Sequence, residues 1–149
     1  MQRDVVAGVI QLSNLLMRRL GPVFEKARVT PQQWAILSTL GESEEPLTLA
    51  GVARVMLVSK QNMTGMIARL EQLGLAERHD DPSDLRSSRL ALTRRGKATV
   101  DKLRPLYEQW RHEMMATLSE RDAAVMERAI EQLIKTLQDP TETSVRFRK

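Results

Sequence analysis

Short hydrogen-bonding side chains crowd one stretch of the chain, from Ser59 to Arg69. Apolar residues recur there at helical spacing, which predicts a helix with one buried stripe formed by Met63, Met66, Ile67 and Leu70. Ser59 precedes this helix, where its hydroxyl can cap free N–H groups. The opposite face is small and uncharged at its centre; it presents Gln61, Thr64, Gly65 and Ala68, flanked by Asn62 and Arg69. Such a face can approach the floor of a DNA groove and hydrogen-bond to base edges, although it also fits an ordinary polar surface helix.

A strand-turn-strand pattern follows this helix. We predict two short strands, Leu75–His79 and Ser88–Leu92, around a loop at residues 80–87. Near the tip, Arg86 can enter a narrow minor groove, whose negative potential favours a guanidinium. Asp84 can orient that guanidinium through a charge-assisted hydrogen bond. A plain surface hairpin with a solvated ion pair is the alternative interpretation.

A short apolar segment comes before the helix and contains Leu49, Val52, Ala53 and Met56. Two short helices joined by a turn and followed by a β-ribbon make a winged helix-turn-helix, which is a DNA-reading unit. Thr48 is placed to cap the first of these helices, and Leu47 to add a short strand to the wing sheet.

Three segments resemble recurring motifs of the MarR family of bacterial transcription regulators. Residues 84–96 are similar to its wing signature, D-x-R-x-x-x-L-x-L-T-x-x-G, and residues 30–37 and 69–75 are similar to two others. The resemblance extends to about Leu137. It implies a mainly α fold with a small β-wing, in which a winged helix-turn-helix is flanked by N- and C-terminal dimerisation helices. Leu85 departs from the pattern, since family members often carry another Arg there, which leaves Arg86 and Arg89 as the main wing contacts.

Composition narrows the class of protein. The 149 residues suffice for one domain, and 23 Lys and Arg against 19 Asp and Glu give a net charge of +4, compatible with nucleic acid. The chain has no Cys and only two His, which excludes disulfides and thiol chemistry and disfavours a metal site. No apolar run is long enough to cross a bilayer and no signal peptide is evident, so we expect a cytoplasmic protein without a membrane partner.

The flanking segments show strong helix signals. The first helix is predicted from about Arg3 to Leu20, with Gly21-Pro22 kinking or ending it before one or two further turns. Thr30 begins a capping box, and the second helix is predicted to stop at Gly41. Thr93 caps a long helix to about Thr117 that Pro105 should bend, and Ser119 starts the last one. We predict one domain over residues 1–138, with the winged unit at about 31–93, dimerisation helices at about 3–27 and 94–138, and a disordered basic tail at 139–149.

The terminal helices carry apolar stripes that the small winged unit does not need for its own core. Burying them against a second copy gives a twofold homodimer, with two recognition helices about 34 Å apart on a pseudo-palindrome. A monomer with an intramolecular helical core is the alternative.

These patterns predict a regulator that binds double-stranded DNA, and the resemblance implies that it is a ligand-responsive repressor. The DNA-binding residues are predicted to be Ser59, Lys60, Gln61, Asn62, Thr64, Arg69, Arg86 and Arg89. The resemblance implies a small aromatic acid or related metabolite as effector, bound between the dimerisation helices and the winged unit. Residues that can line such a site are Arg19, Trp34, Arg104 and Tyr107, each of which also suits a structural role.

Two other function classes compete with this prediction. No catalytic constellation, phosphate loop or metal-ligand spacing is apparent, so we expect neither an enzyme nor a cofactor. A winged-helix module that binds a protein or RNA without operator binding is the stronger alternative. Its surface would favour exposed apolar or aromatic anchors, whereas this helix face offers Gln, Asn, Thr, Gly and Ala.

Overall fold

The structure is a computed structural model that describes residues 4–138, apart from the side chain of Leu85. The predicted disordered tail at 139–149 and the predicted helix start at Arg3 lie outside this part of the chain. The described helices and strands follow one another as α1 Val5–Phe24, a 3-10 helix Glu25–Ala27, α2 Pro31–Glu42, β1 Leu47–Thr48, α3 Leu49–Met56, α4 Lys60–Gln72, β2 Ala76–Asp81, β3 Asp84–Leu92, α5 Arg94–Met115 and α6 Glu120–Gln138. The predicted mainly α fold with a small β-wing is confirmed.

The chain forms two compact units, one ending at Glu108 and the other beginning at Gln109. A single hydrophobic core holds the first unit together, and its fully buried side chains come from α1 to α5 and the wing: Phe24, Ile36, Leu37, Val52, Met63, Ile67, Leu70, Leu90 and Leu103. In the second unit, Ser119 accepts a hydrogen bond from the backbone N–H of Asp122 at 3.1 Å, which confirms the predicted start of α6.

Side-chain caps fix the helix starts that position the winged unit. Thr30 and Gln33 form the predicted capping box of α2. The hydroxyl of Thr48 accepts from the N–H of Gly51 at 3.0 Å, and that of Thr93 accepts from Gly96 at 2.9 Å. Gly74 follows α4 in the left-handed conformation, with φ of 69°. The three side-chain caps were predicted correctly because each depends on neighbouring residues only.

Two helices continue through a glycine at which the sequence predicts an end or a kink. α1 passes through Gly21 and Pro22 without ending there, and the one or two further turns predicted after them are the end of α1 and the 3-10 helix Glu25–Ala27. Burying the ring of Phe24 is worth roughly 1.5–3 kcal/mol, comparable with the roughly 3 kcal/mol that an interior proline costs. α2 passes through Gly41 to Glu42, since Gly41 packs close to the side chains of Leu92 and Val100.

The wing is a three-stranded antiparallel sheet in the order β1-β3-β2. The predicted strand at Leu47 pairs with Leu90. The predicted eight-residue loop at 80–87 is wrong, because β2 continues to Asp81 and β3 begins at Asp84, leaving only Pro82 and Ser83 between them. The carboxylate of Asp81, which accepts from both the N–H and the hydroxyl of Ser83, closes this tight turn.

Within residues 4–138, no helix has the length and apolarity required to span a bilayer.

Candidate nucleic-acid interface

The two faces of α4 differ as predicted. Met63, Ile67 and Leu70 are fully buried in the core. The opposite face is exposed at Gln61, Asn62, Thr64 and Gly65, and half-buried at Ala68. The helix therefore presents a surface of small and neutral hydrogen-bonding side chains to solvent.

The first turn of α4 is held by Ser59, whose hydroxyl accepts from the N–H of Asn62 at 3.1 Å. Thr64 donates its own hydroxyl proton to the carbonyl of Lys60 at 2.9 Å. Its oxygen is then left to accept, so Thr64 suits a base amino group better than a base carbonyl. A Cβ on Gly65 would meet no atom within 4 Å, so the backbone is open to close approach at this point.

The wing and α4 share a cleft of about 240 Å³. Lys60 and Thr64 line it from α4, Arg86 and Ser88 from β3. The reading face of α4 and the basic hairpin therefore lie on the same side of the molecule. Cationic and neutral donors are close together there, as needed to bind phosphates and base edges at once.

One end of β3 contributes to the hydrophobic core and the other end to the cleft. Leu90 and Leu92 are buried, whereas Ser88 and Arg86, two and four residues before Leu90, line the cleft. Ser87 lines the cleft as well, and sequence reasoning assigned neither Ser87 nor Ser88 to the interface.

Arg78 and Thr48 are further cleft residues that sequence reasoning did not assign to the interface. Arg78 donates from Nε to Glu71 at 2.8 Å, so it is already paired with a carboxylate at the end of α4. This pair ties the wing to the recognition helix.

A buried carboxylate anchors the wing. The side chain of Asp81 is 8% exposed and accepts from the guanidinium Nε of Arg89 at 3.0 Å. It also accepts from Ser83, at 3.0 Å from the N–H and 2.7 Å from the hydroxyl. The hydrogen bonds from Ser83, followed by that from Arg89, lower the pKa of Asp81 from 3.8 to about 2. Asp81 therefore stays ionised and holds the two strands together.

The predicted wing contacts separate into two kinds. Arg86 is exposed, and its guanidinium has no partner among the described side chains. Asp84 accepts from the backbone N–H of Arg86 at 2.9 Å, so its carboxylate holds the main chain and not the guanidinium, contrary to the predicted orienting bond. Arg89 is bound to Asp81 and to the carbonyl of Pro46. The Arg89 side chain therefore stabilises the wing, and 41% of this side chain is exposed to solvent.

Arg69 lies in the last turn of α4, on its exposed side. Its guanidinium contacts the side-chain oxygen of Gln72 at 3.4 Å. It is separated along α4 from the residues at the helix start, Ser59, Lys60, Gln61 and Asn62.

Three of the four residues predicted to bind an effector meet in the structure. The ring centroid of Trp34 lies 5.6 Å from that of Tyr107 and 5.4 Å from that of Phe24. The guanidinium of Arg104 lies 5.8 Å from the Trp34 ring and donates to Glu42 at 3.0 Å. Trp34 itself is only 4% exposed. Arg19, on α1, is exposed and takes part in none of these contacts.

Metal binding finds no support in the described part of the chain. No group of three or more His, Asp or Glu side chains among residues 4–138 could hold a metal ion.

Several known proteins are similar to this chain in sequence or in fold. A model of the MarR family matches residues 29–87. The HTH-type transcriptional regulator FarR of Neisseria gonorrhoeae is 31% identical over 96 residues, which are 64% of this chain and 65% of FarR. The homoprotocatechuate degradative operon repressor of Escherichia coli is 25% identical over 109 residues, 73% of each chain. The chain thus spans just under two thirds of FarR and somewhat more of the repressor.

Solved structures agree with the architecture. The MepR–DNA complex of S. aureus superposes with a TM-score of 0.85 and 18% identity, over 91% of this chain and 99% of MepR. At that level of identity the likeness shows the fold.

Proposed function

This chain belongs, through its winged-helix segment at residues 29–87, to the MarR family, and we propose that it regulates transcription by binding a specific double-stranded DNA sequence. FarR and the homoprotocatechuate operon repressor carry names that describe transcriptional regulators and not enzymes. The observation that carries the proposal is the exposed face of α4 beside the cleft it shares with the wing.

The interface divides into residues that read bases and residues that bind phosphate. Gln61, Asn62 and Thr64 provide uncharged donors and acceptors at the first turns of α4, where a recognition helix contacts base edges. Lys60 and Arg69 are exposed cations at the two ends of the helix and suit the DNA backbone.

The wing contributes mainly through Arg86, whose unpaired guanidinium suits the minor groove. Ser59 sets the start of the reading helix. In our proposal, Arg89 acts chiefly by holding the wing in place through its ion pair with Asp81. The exposed part of its side chain would lie near a DNA phosphate.

We propose a homodimer formed by the terminal helices. On α1, apolar side chains are exposed from Val5 at 66% to Met17 at 42%. On α6, Ile130, Leu133 and Leu137 are exposed at 43–72%. Contiguous exposed apolar stripes of this kind mark protein interfaces. Size-exclusion chromatography with light scattering tests this proposal, and a monomer at micromolar concentration would contradict it.

The effector is proposed to be a small aromatic acid that inactivates a repressor. In the cluster of Trp34, Tyr107 and Arg104, Trp34 is buried, so the half-buried Tyr107 ring would contact the effector and the Arg104 guanidinium its carboxylate. Because Arg104 is bound to Glu42, an acid must compete with that pair. Arg19 is proposed to contribute only if α1 brings it to the site.

The alternative function, a module that binds protein or RNA, has one supporting observation. Val55 and Leu57 are 61% and 52% exposed at the turn between α3 and α4, and such side chains can anchor a protein partner. If the chain binds no operator DNA, Val55 and Leu57 would make the main contacts to a protein partner.

Selection from a random pool of duplex DNA tests the proposed function. We expect enrichment of an inverted repeat whose affinity falls steeply with salt. A parallel selection from a random RNA pool tests the alternative function. The DNA selection is then repeated with candidate aromatic acids present. Enrichment of RNA alone, or of no sequence at all, would contradict operator binding.

A further inference from the structure

A strongly basic pocket lies at the end of α4 that is farther from Ser59. It has a volume of about 440 Å³ and is lined by the 3-10 helix after α1, the end of α4 and the first turns of α5. Four cationic side chains from two segments line this basic pocket: Lys26 and Arg28 from the 3-10 helix and its C-cap, and Arg95 and Lys102 from α5. No carboxylate is among the described residues that line it.

The four cations also have no ion-pair partner within residues 4–138. By contrast, Arg78, Arg89 and Arg104 each reach a carboxylate within 3.0 Å. Four like charges around one concavity raise its positive potential and the local concentration of anions. The arrangement is therefore suited to a negatively charged ligand.

Two of these cationic residues have a distinctive local geometry. Arg28 adopts the left-handed conformation, with φ of 56° and ψ of 36°, and its N–H donates to the carbonyl of Glu25 at 2.9 Å. A non-glycine residue adopts this conformation at some energetic cost. Arg95 extends towards the turn after α4, where its terminal nitrogen lies 3.9 Å from the position of a Cβ on Gly74.

Neutral groups in the basic pocket complete a recognition surface. The side-chain oxygen of Gln72 accepts from Arg69 at 3.4 Å, which leaves its amide N–H groups free to donate. The hydroxyl of Thr99 donates to the carbonyl of Arg95 at 2.9 Å, which leaves its oxygen free to accept. Leu75, which is only 4% exposed, supplies an apolar part of the wall.

We propose that the basic pocket binds a small organic anion with two or more negative charges, of the phosphate-ester or polycarboxylate type. Arginine forks bind the planar oxygen pairs of both groups, and the lysines add charge without strict geometry. The free amide of Gln72 and the oxygen of Thr99 suit a ligand that also carries hydroxyl groups.

The basic pocket lies at the opposite end of α4 from the proposed base-reading residues, and its wall residue Gln72 contacts Arg69, a proposed phosphate contact. α4 has 13 residues and is therefore about 20 Å long at roughly 1.5 Å per residue. Its first turn reads DNA in the proposed function, whereas Gln72 and Leu73 at its last turn line the basic pocket. An anion in the basic pocket contacts both α4 and α5. If it binds the DNA-competent conformation of the chain and another conformation with different affinities, it changes the affinity for DNA. This regulatory consequence rests on the proposed function, but anion binding itself does not.

Isothermal titration calorimetry of the full chain at low salt, with inorganic pyrophosphate and with citrate as separate probes, tests the proposal. We expect one saturable site per chain for at least one probe. The variant Arg28→Gln/Lys102→Gln should weaken binding at least about tenfold. The matched control Arg18→Gln/Lys97→Gln removes the same charge from α1 and α5 outside the basic pocket and should bind as the wild type does. Circular dichroism confirms that both variants fold.

The two probes distinguish the ligand class, since preference for pyrophosphate indicates a phosphate ester and preference for citrate a polycarboxylate. Absence of saturable binding by either probe overturns the proposal, as does an equal loss in both double variants, which would mean unspecific attraction to net charge. A variant that loses DNA affinity while no small anion binds would also overturn it and make these residues DNA-backbone contacts. Failure of the DNA selection with intact anion binding would refute the proposed function alone.

Discussion

The carboxylate of Asp81 and the guanidinium of Arg89 form a 3.0 Å ion pair between the two long strands of the wing. The sequence predicts Arg89 as a DNA contact and places Asp81 in the loop of the wing. Because Asp81 is buried and also binds Ser83, the pair stabilises the conformation of the hairpin. The basic residues of the wing therefore do not share one role.

We expect the wing to lose stability in acid. The hydrogen bonds from Ser83, followed by that from Arg89, hold the folded pKa of Asp81 at about 2, below its ordinary value of 3.8. The resulting stabilisation is complete above pH 3.8 and is lost as the pH falls through about 2. Thermal melting across this range should show a smaller pH dependence in Asp81→Asn. Asp80→Asn, an exposed neighbour on the same strand, is the control and should melt as the wild type does.

Arg86→Ala and Arg89→Ala should have different effects. Loss of the unpaired Arg86 should weaken binding to all duplexes and lower the salt slope by about 1, with an unchanged melting temperature. Loss of Arg89 leaves Asp81 without its cationic partner and should lower the melting temperature by a few degrees. Fluorescence anisotropy at several salt concentrations, together with calorimetric melting, measures both effects. Equal melting temperatures for the two variants would remove the assigned structural role of Arg89.

Gln61→Ala should change sequence preference. A good bidentate contact to a base is worth about 1–3 kcal/mol of discrimination, so the affinity ratio between the selected operator and single-base variants should shrink at one position per half-site. Gln32→Ala makes the same change at an exposed site on α2 and should leave this ratio unaltered. If Gln61→Ala retained the full ratio at every position, Gln61 would not be a base reader.

Gly65→Ala should stabilise the free protein and weaken operator binding. Alanine is about 0.8–1 kcal/mol more favourable than glycine inside a helix, and a Cβ here meets no other atom of the protein within 4 Å. The added methyl would stand between α4 and the groove floor. Differential scanning calorimetry and operator titration separate the two effects. Unchanged operator affinity would show that the groove floor lies elsewhere.

Gly96→Ala should destabilise the first unit strongly. A Cβ at this position would lie 2.0 Å from the carbonyl oxygen of Leu75, which is closer than real contacts allow. That carbonyl also accepts from the N–H of Thr93, so it cannot move away freely. We expect a loss of about 1–3 kcal/mol, as for overpacking in a core, measured by urea unfolding. A variant as stable as the wild type would mean that α5 can shift away from Leu75.

Much of the candidate interface could be predicted from the sequence. The buried and exposed faces of α4 follow from helical periodicity, since residues three and four apart share a face whatever surrounds the helix. The caps at Thr30, Thr48, Ser59 and Thr93 were likewise predictable, because a short polar side chain satisfies N–H groups two or three residues along the chain.

Interactions between distant segments could not be predicted in this way. The sequence does not show that Asp81 would turn inward and shorten the predicted wing loop to Pro82 and Ser83. It also does not show that Asp84 would bind a backbone amide instead of the Arg86 guanidinium. Such choices depend on which partner the folded chain brings within hydrogen-bond distance.

The sequence by itself determined the order of the elements, the polar character of the recognition helix and the positions of its ends, because these depend on local periodicity and capping. Only the tertiary structure decided that Arg89 is bound while Arg86 is free, and that Lys26, Arg28, Arg95 and Lys102 surround one pocket. The physical reason is that charge and hydrogen bonding act over a few ångströms in space. Residues far apart in the chain acquire these interactions only when packing of the core brings their helices and strands together.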